Sequence, residues 1–377
     1  MQAKQMVSLF DYLPEEEKKK FAANKSDDWK WKFEDYPKEK NGIKVFSCFA
    51  CGGGSTMGYK LAGCEVLGCC EIDPKMNEIY VKNHHPKYNY MMDIRDFNKI
   101  PDDQIPEELK DLDILDGSPP CTTFSMAGER EESWGKKKKF REGQKEQTLD
   151  DLSYIFIDTV EKLRPRFVIM ENVEGLLLGE AFGYVQEIYT RFERIGYKLN
   201  HWLLKGEKMG VPQTRHRVFF IACRKDMGID PKKLNMSFNY EPIQYGVIKG
   251  SIFHRITEDQ IYYEIINQAT DEDKSIADTR ARLRMKPSGF QTYYVRDKDV
   301  CPTQRAKPDL IDIKEKAYVG WDVLRNMQTF PQDYDFFEFT RARVVYICGM
   351  SVPPVMMKRI VTRLIEEGVF LYKGVTV

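Results

Sequence analysis

The chain lacks any charge imbalance: its 377 residues carry 58 lysines and arginines against 58 aspartates and glutamates. Net charge therefore gives no global mark of a nucleic-acid partner. No apolar run approaches the ~20 residues that span a bilayer. The opening MQAKQMVSLFDYLPEEEKKKF is too acidic and too weakly apolar for a secretory signal. A cytoplasmic protein is expected. Internal repeats and low-complexity tracts are missing too, which excludes solenoids and arrays. The nine cysteines are odd in number and irregular in spacing, which fits reduced thiols rather than a disulfide framework. Cys48 and Cys51 form a C-x-x-C that reads either as a zinc or redox pair or as small packing residues inside a strand. Packing is the reading adopted, with no metal.

What is present is ordinary globular material, 42% hydrophobic and 31% charged, and long enough for two lobes. Residues 1–42 read as a charged, aromatic N-terminal extension without assignable chemistry, in which Trp29, Trp31 and Phe33 alternate with lysines and acids. From Ile43 the pattern changes. Apolar, β-branched runs predict strands over 43–49, 65–70, 113–116 and 167–170, and helices over 56–62, 74–84 and 152–163. Pro74 stands where a helix begins. Strands alternating with helices predict a doubly wound α/β sheet with ligands at the strands' carboxyl ends. After Arg224 the pattern breaks into short, Gly- and Pro-punctuated segments, a second and smaller domain over 225–320. The segment 321–377, with helices at 321–327 and 356–367, returns to the larger domain at 43–224.

Five short segments carry the chemistry: FACGGGSTMG at 49–58, SPPCTTFS at 118–125, ENV at 171–173, QTRHR at 213–217 and GMSVPP at 349–354. A strand entering glycines and then a helix lets backbone approach a ligand closely. A dinucleotide site competes, but G-x-G-x-x-G is absent in good form and no catalytic His or Tyr-Lys pair accompanies the loop. Cys121, in a turn after a strand, is a nucleophile or a buried structural cysteine. Glu171 is a functional carboxylate at a strand end or a capping one. Arg215 and Arg217 share one face of a strand, as a substrate clamp or an exposed basic edge. Taken singly, the bland reading is the better one for Cys121 and for the two arginines.

Their order and spacing resemble the DNA (cytosine-5) methyltransferases, from about Ile43 to the C-terminus except for the variable stretch before 320. The resemblance implies an S-adenosylmethionine-dependent methyltransferase sheet with a smaller target-recognition domain. It implies methyl transfer to C5 of a flipped-out cytosine in duplex DNA through a covalent Cys121 adduct. Glu171 would face the cytosine's N3 and amino group, while Arg215 and Arg217 would contact the base oxygen and position Glu171. For the cofactor, Phe49 would flank the adenine and the backbone of Ala50, Cys51, Gly52, Gly53 and Gly54 would surround the methionine part. Glu71 would hold the ribose hydroxyls, Ile72 would cover the other adenine face, and Asp93 with Ile94 would meet the adenine amino group. Pro120, Leu152, Ser351 and Val352 complete the implied pocket.

Four residues depart from the family pattern. Ser47 stands where an aspartate is common, Cys51 where a glycine is, Thr122 where a glutamine is, and Met350 where an asparagine is. Cys51 must adopt a negative φ or accept strain.

The polar stretch 126–147, with four consecutive lysines, reads as a lid that closes on DNA while the base is flipped out. Between Arg280 and Lys307, eight basic residues against Asp297 and Asp299 leave a surplus of six, a phosphate-tracking surface or a solvated one. Relatives that methylate transfer RNA and catalytically silent DNA-binding relatives are the competing readings. The expected partners are double-stranded DNA and a cognate restriction endonuclease of a prokaryotic or phage restriction-modification system, with the chain acting as a monomer.

Overall fold

Strand β1 (Lys44–Cys48) runs between β2 (Glu65–Cys70) and β4 (Ile114–Gly117), parallel to both. Outside β2 lies β3 (Tyr88–Tyr90), and outside β4 lies β5 (Phe167–Val173), again parallel. Strand β7 (His216–Arg224) adds antiparallel to β5, and β6 (Tyr197–Lys205) adds antiparallel to β7. The resulting order is β3-β2-β1-β4-β5-β7-β6. The computed structural model describes residues 24–120, 151–179, 181–289, 292–306, 309–337 and 340–374.

The central strands read as continuous apolar runs because helices cover both faces of the sheet. On one face Phe46, Leu115, Val168 and Met170 pack against the helix Leu152–Leu163 and the helix Ala181–Arg194. On the other, Val45, Ile114, Phe167 and Ile169 meet Tyr59 of the helix Gly54–Leu61 and Ile360, Val361 and Leu364 of the helix Pro354–Glu366. The chain winds outward from β1 to β3 on one side and from β4 to β5 on the other. The crevice at the carboxyl ends of β1 and β4 is the topological switch point where such sheets bind ligands.

The strand expected over 65–70 and the helices over 74–84, 152–163 and 321–327 stand at those bounds. Strand β5 continues to Val173, so Glu171 lies inside a strand rather than after one. The described part of the N-terminal extension, 24–42, is more integrated than its composition suggested. Trp29 and Trp31 are buried beside Met57, Met76 and Ile79, and the Trp31 indole N–H donates to the Thr329 carbonyl at 2.7 Å. Asn24 bridges to Tyr240, and Asp28 pairs with Arg359. A strap across the large lobe results.

A second sheet, β8 (Ile252–Arg255), β9 (Thr292–Val295), β10 (Asp309–Asp312) and β11 (Ala317–Val319), has the order β8-β11-β10-β9. With the helices Ile261–Asn267 and Ile276–Arg282 it encloses a small core of Ile256, Ile265, Ile266, Ile276, Tyr294 and Ile311. Leu234 and Met236, earlier in the same stretch, pack instead into the large-lobe core. The C-terminal segment Arg341–Glu366 contains the most apolar helical window among the described residues. By length and hydropathy it could cross a membrane, yet 78% of that window is buried in the protein, and Ser351–Pro353 divide it into two helices.

Candidate active site

Every one of the five segments with described residues reaches the same edge of the large sheet. The glycine loop leaves β1 there. Its backbone is left-handed at Phe49 (φ 57°), Cys51 (φ 47°) and Gly53 (φ 81°). Cys51 thus takes the strained alternative rather than a negative φ, a conformation that persists only where the surroundings over-determine it. Those surroundings are specific. The Cys51 N–H donates to Glu71 Oε2 at 2.8 Å. The Gly52 carbonyl accepts from Tyr334 Oη at 2.7 Å and from His84 Nε2 at 3.1 Å. Burial pushes the His84 imidazole down to about 3, so the ring is neutral and donates through Nε2. A Cβ at Gly53 would lie 2.0 Å from His84 Nε2, and one at Gly54 would lie 2.1 Å from the Val352 carbonyl. The glycines therefore let the loop seat against the rest of the protein, including the 349–354 segment.

Glu71 follows β2 and is buried, its other oxygen accepting from the Asp73 N–H at 2.8 Å. Burial raises its carboxyl while the backbone N–H donors oppose the rise. One lone pair remains on each oxygen for a diol. Next to it Ile72 is 36% exposed, an apolar side chain left open beside a carboxylate. Asp93 is half-buried, capping the helix Ile94–Asn98 through Arg95 N–H at 2.8 Å and paired with the Arg95 guanidinium. Phe49, Cys51 and Pro120 are half-buried, whereas Ala50, Ile94, Leu152, Ser351 and Val352 are buried. Ile94 and Leu152 belong to the core beneath the crevice. An open apolar side chain, a carboxylate with free lone pairs and a half-buried carboxylate cap fit the adenosine part of a cofactor.

On the β5 side, Arg217 Nε lies 2.9 Å from Glu171 Oε1. Asn172 donates to the Pro119 carbonyl at 3.4 Å, tying β5 to the segment that follows β4. Cys121, Thr122, the lid stretch 126–147 and Lys307 lie outside the described residues. Arg215 lies just before β7, which begins at His216, so only Arg217 is on the strand, and the two divide the work. Arg215 is buried, and its guanidinium donates to the carbonyls of Gln304 (2.9 Å), Gly349 (3.3 Å) and Ser351 (3.0 Å). Burial and the nearby Arg217 push the Arg215 guanidinium down, and Glu171 opposes them. So Arg217 meets the carboxylate, while Arg215 ties the start of β7 to the 349–351 stretch that borders the glycine loop.

The basic run 280–307 is partly consumed by the fold. Arg280 and Arg296 are buried, donating to the carbonyls of Lys286 and of Thr270 and Asp273. Arg282 pairs with Asp273 at 2.9 Å, and Arg305 lies over the Tyr293 ring. Arg284, Lys286 and Lys298 are exposed.

Several participants were not singled out from the sequence. His84 and Tyr334 hold the loop through a backbone carbonyl, and nothing in their local sequence marks that role. Gln213 accepts from the Gln304 N–H and donates to Met327 O and Gln328 Oε1. His216 sits between Glu174 (3.4 Å) and Glu207 (3.0 Å). Asp116 is fully buried against Ser47 and Tyr59; its place in a strand before SPPC was the available signal. Cys48, Cys64, Cys69 and Cys70 are buried free thiols.

The sequence model of the C-5 cytosine-specific DNA methylase family matches residues 43–314. A type II methyltransferase of Fusobacterium nucleatum, M.FnuDI, is 27% identical over 86% of this chain and 94% of its own length. The type II methyltransferase M.HindV of Haemophilus influenzae is 26% identical over 86% of this chain and 97% of its own. Among solved structures, a prophage-encoded DNA modification methyltransferase of E. coli superimposes with a TM-score of 0.59 at 20% identity, covering 86% of this chain and 98% of that one. A Spodoptera frugiperda DNMT2 variant gives 0.59 at 14% identity, covering 86% and 99%. The structural likenesses establish the fold, and the family match over most of the chain establishes kinship: this protein belongs to the C-5 cytosine-specific DNA methylases.

Proposed function

We propose that this chain methylates C5 of a flipped-out cytosine within a specific duplex DNA sequence, using S-adenosylmethionine and a covalent Cys121 adduct. The observation that carries the reading is the Glu171–Arg217 pair at 2.9 Å, set at the sheet edge that also holds the glycine loop and the Pro119-Pro120 turn. S-adenosylmethionine, held by Glu71, Ile72, Asp93 and the 49–54 backbone, supplies a methyl group on a sulfonium sulfur. The Cys121 thiolate adds to C6, and the electrons of the C5–C6 bond become available at C5. Glu171 protonates or hydrogen-bonds N3, drawing charge toward the ring nitrogen as the thiolate adds. Arg217 fixes the Glu171 carboxyl and presents the remaining guanidinium donors to the base oxygen. C5 takes the methyl group as the methyl–sulfur bond breaks and its electron pair stays on the departing thioether. C5 then loses its proton to solvent, N3 returns any proton it took to Glu171, and the C6–S bond breaks to return the thiolate.

The small sheet domain, 225–320, chooses the DNA sequence, with Arg284, Lys286 and Lys298 as phosphate contacts. Kinship to type II enzymes supports a cognate restriction endonuclease, and the chain is read as a monomer.

The test uses labelled S-adenosylmethionine with duplex DNA, followed by base analysis. Label at cytosine C5, and a covalent Cys121 adduct on a 5-fluorocytosine duplex, are expected. Label at N4, at adenine or only in transfer RNA overturns the reading, as does an adduct on another cysteine.

A further inference from the structure

Ser47 and Asp116 are register partners on the adjacent parallel strands β1 and β4, so their side chains stand at one height on one face of the sheet. Both are buried, at 1% exposure each. Asp116 Oδ2 accepts from Ser47 Oγ at 2.6 Å, and Oδ1 accepts from Tyr59 Oη at 3.1 Å. The Ser55 hydroxyl lies near enough to favour the ionised carboxyl. Ser47 belongs to β1, while Ser55 and Tyr59 belong to the helix Gly54–Leu61. These two elements are the entry and exit of the 49–53 loop. One carboxyl group therefore fastens both ends of a loop whose backbone is left-handed at three residues, the kind of conformation that survives only when held from outside.

The partners themselves say what this carboxyl is for. They are hydroxyls, and among the described residues no cation forms an ion pair with Asp116. Its nearest charged influence is repulsive, from Glu171. A buried acid so placed costs stability unless its bonds are needed. Burial first, and Glu171 after it, raise the carboxyl to about 7, while Ser47, Tyr59 and Ser55 oppose the rise. Position 47 is also where this sequence carries serine in place of the aspartate common in sequences it resembles. The carboxyl is present after all, one strand over and at the same height.

We propose that Asp116 is a positioning residue for the cofactor loop, supplying from β4 a carboxyl anchor that position 47 on β1 no longer provides. It acts through Ser47, Ser55 and Tyr59 rather than by touching the reacting atoms. The inference rests on the reading of 49–54 as the S-adenosylmethionine loop.

The experiment measures S-adenosylhomocysteine affinity by calorimetry, together with kcat and the KM for S-adenosylmethionine, on full-length wild type, Asp116→Ser and the exchange Ser47→Asp/Asp116→Ser. Asp116→Ser is expected to raise the cofactor Kd and KM at least about 10-fold, with kcat at saturating cofactor kept within about 3-fold. The exchange is expected to recover both constants to within about 3-fold of wild type. An unchanged Kd in Asp116→Ser overturns the proposal, and so does a loss confined to kcat. If Asp116→Ser does not fold, the exchange protein decides. Wild-type affinity in it supports the proposal, and weakened affinity or failure to fold overturns it. A wild type that binds no S-adenosylhomocysteine refutes the reading of the loop itself, a result distinct from any of these.

Discussion

Arg217 Nε and Glu171 Oε1 meet at 2.9 Å across the antiparallel pair β7 and β5, diagonal neighbours in which Arg217 stands opposite Val173 and Glu171 opposite Phe219. Such diagonal positions on one face of a sheet lie within reach of long side chains. Both groups are largely shielded, with side-chain exposures of 15% and 11%. The pair is therefore weakly screened by salt, and the carboxyl cannot turn away without leaving a buried guanidinium short of a partner.

Glu171→Gln keeps the shape and one acceptor for Arg217 but removes the acid. Turnover is expected to fall by a factor of about 10²–10⁴, the range for a positioned general acid or base. DNA affinity should stay within a few-fold, because the phosphate contacts lie elsewhere. Single-turnover methylation and a filter-binding titration check the two halves. Retained turnover would remove Glu171 from the chemistry.

Arg215 makes its contribution to stability rather than to the proton inventory. Its three acceptors are backbone carbonyls at Gln304, Gly349 and Ser351, and each buried acceptor left without a donor costs about 1–3 kcal/mol. Arg215→Met is expected to lower the unfolding free energy by roughly 3 kcal/mol or more, because three buried carbonyls lose a donor at once. Urea denaturation measures it, and a change below about 1 kcal/mol, the usual net worth of one hydrogen bond, would refute the assignment.

Glu71→Ala removes a carboxylate that already fixes Cys51 and Asp73 through their N–H groups. Cofactor affinity is expected to weaken by about 1.5–3 kcal/mol, the range for hydrogen bonds to a charged group. Calorimetric titration with S-adenosylhomocysteine reads the change. An unaltered affinity places the ribose elsewhere.

The Asp116 carboxyl is raised from 3.8 to about 7 in the folded protein, so the native state holds that proton more tightly than the unfolded chain. Its contribution favours folding below about pH 4 and is lost as pH rises through about 7. Wild type measured against Asp116→Asn should therefore lose relative stability between about pH 4 and pH 7 and run parallel above that. Urea midpoints across this range test it. A difference that is flat, or that grows with pH, contradicts the assignment.

The order of the motifs, the strand–glycine–helix unit and the placement of Glu71 at the end of β2 were legible in the sequence. They depend on local periodicity and on turn residues, which act over a few positions. The same holds for the helix at 74–84, capped by Asp73, and for the helix at 152–163, whose apolar face is written within its own span. Tertiary structure alone decided the rest. Residues 215 and 217 were expected to share a strand face by spacing, yet β7 begins at His216 and its register against β5 brings Arg217 to Glu171. Trp29 and Trp31 stood in an extension without assignable chemistry until the Thr329 carbonyl gave the Trp31 indole an acceptor. Arg280 and Arg296 counted as available charge until carbonyls of their own lobe enclosed them. Ser47 looked like a missing carboxylate, and only the adjacency of β1 and β4, joined through a long crossover, put Asp116 beside it. Sequence fixes what each residue offers; which partner takes the offer depends on contacts between segments far apart in the chain, where loop closure and packing rather than local propensity select the neighbour.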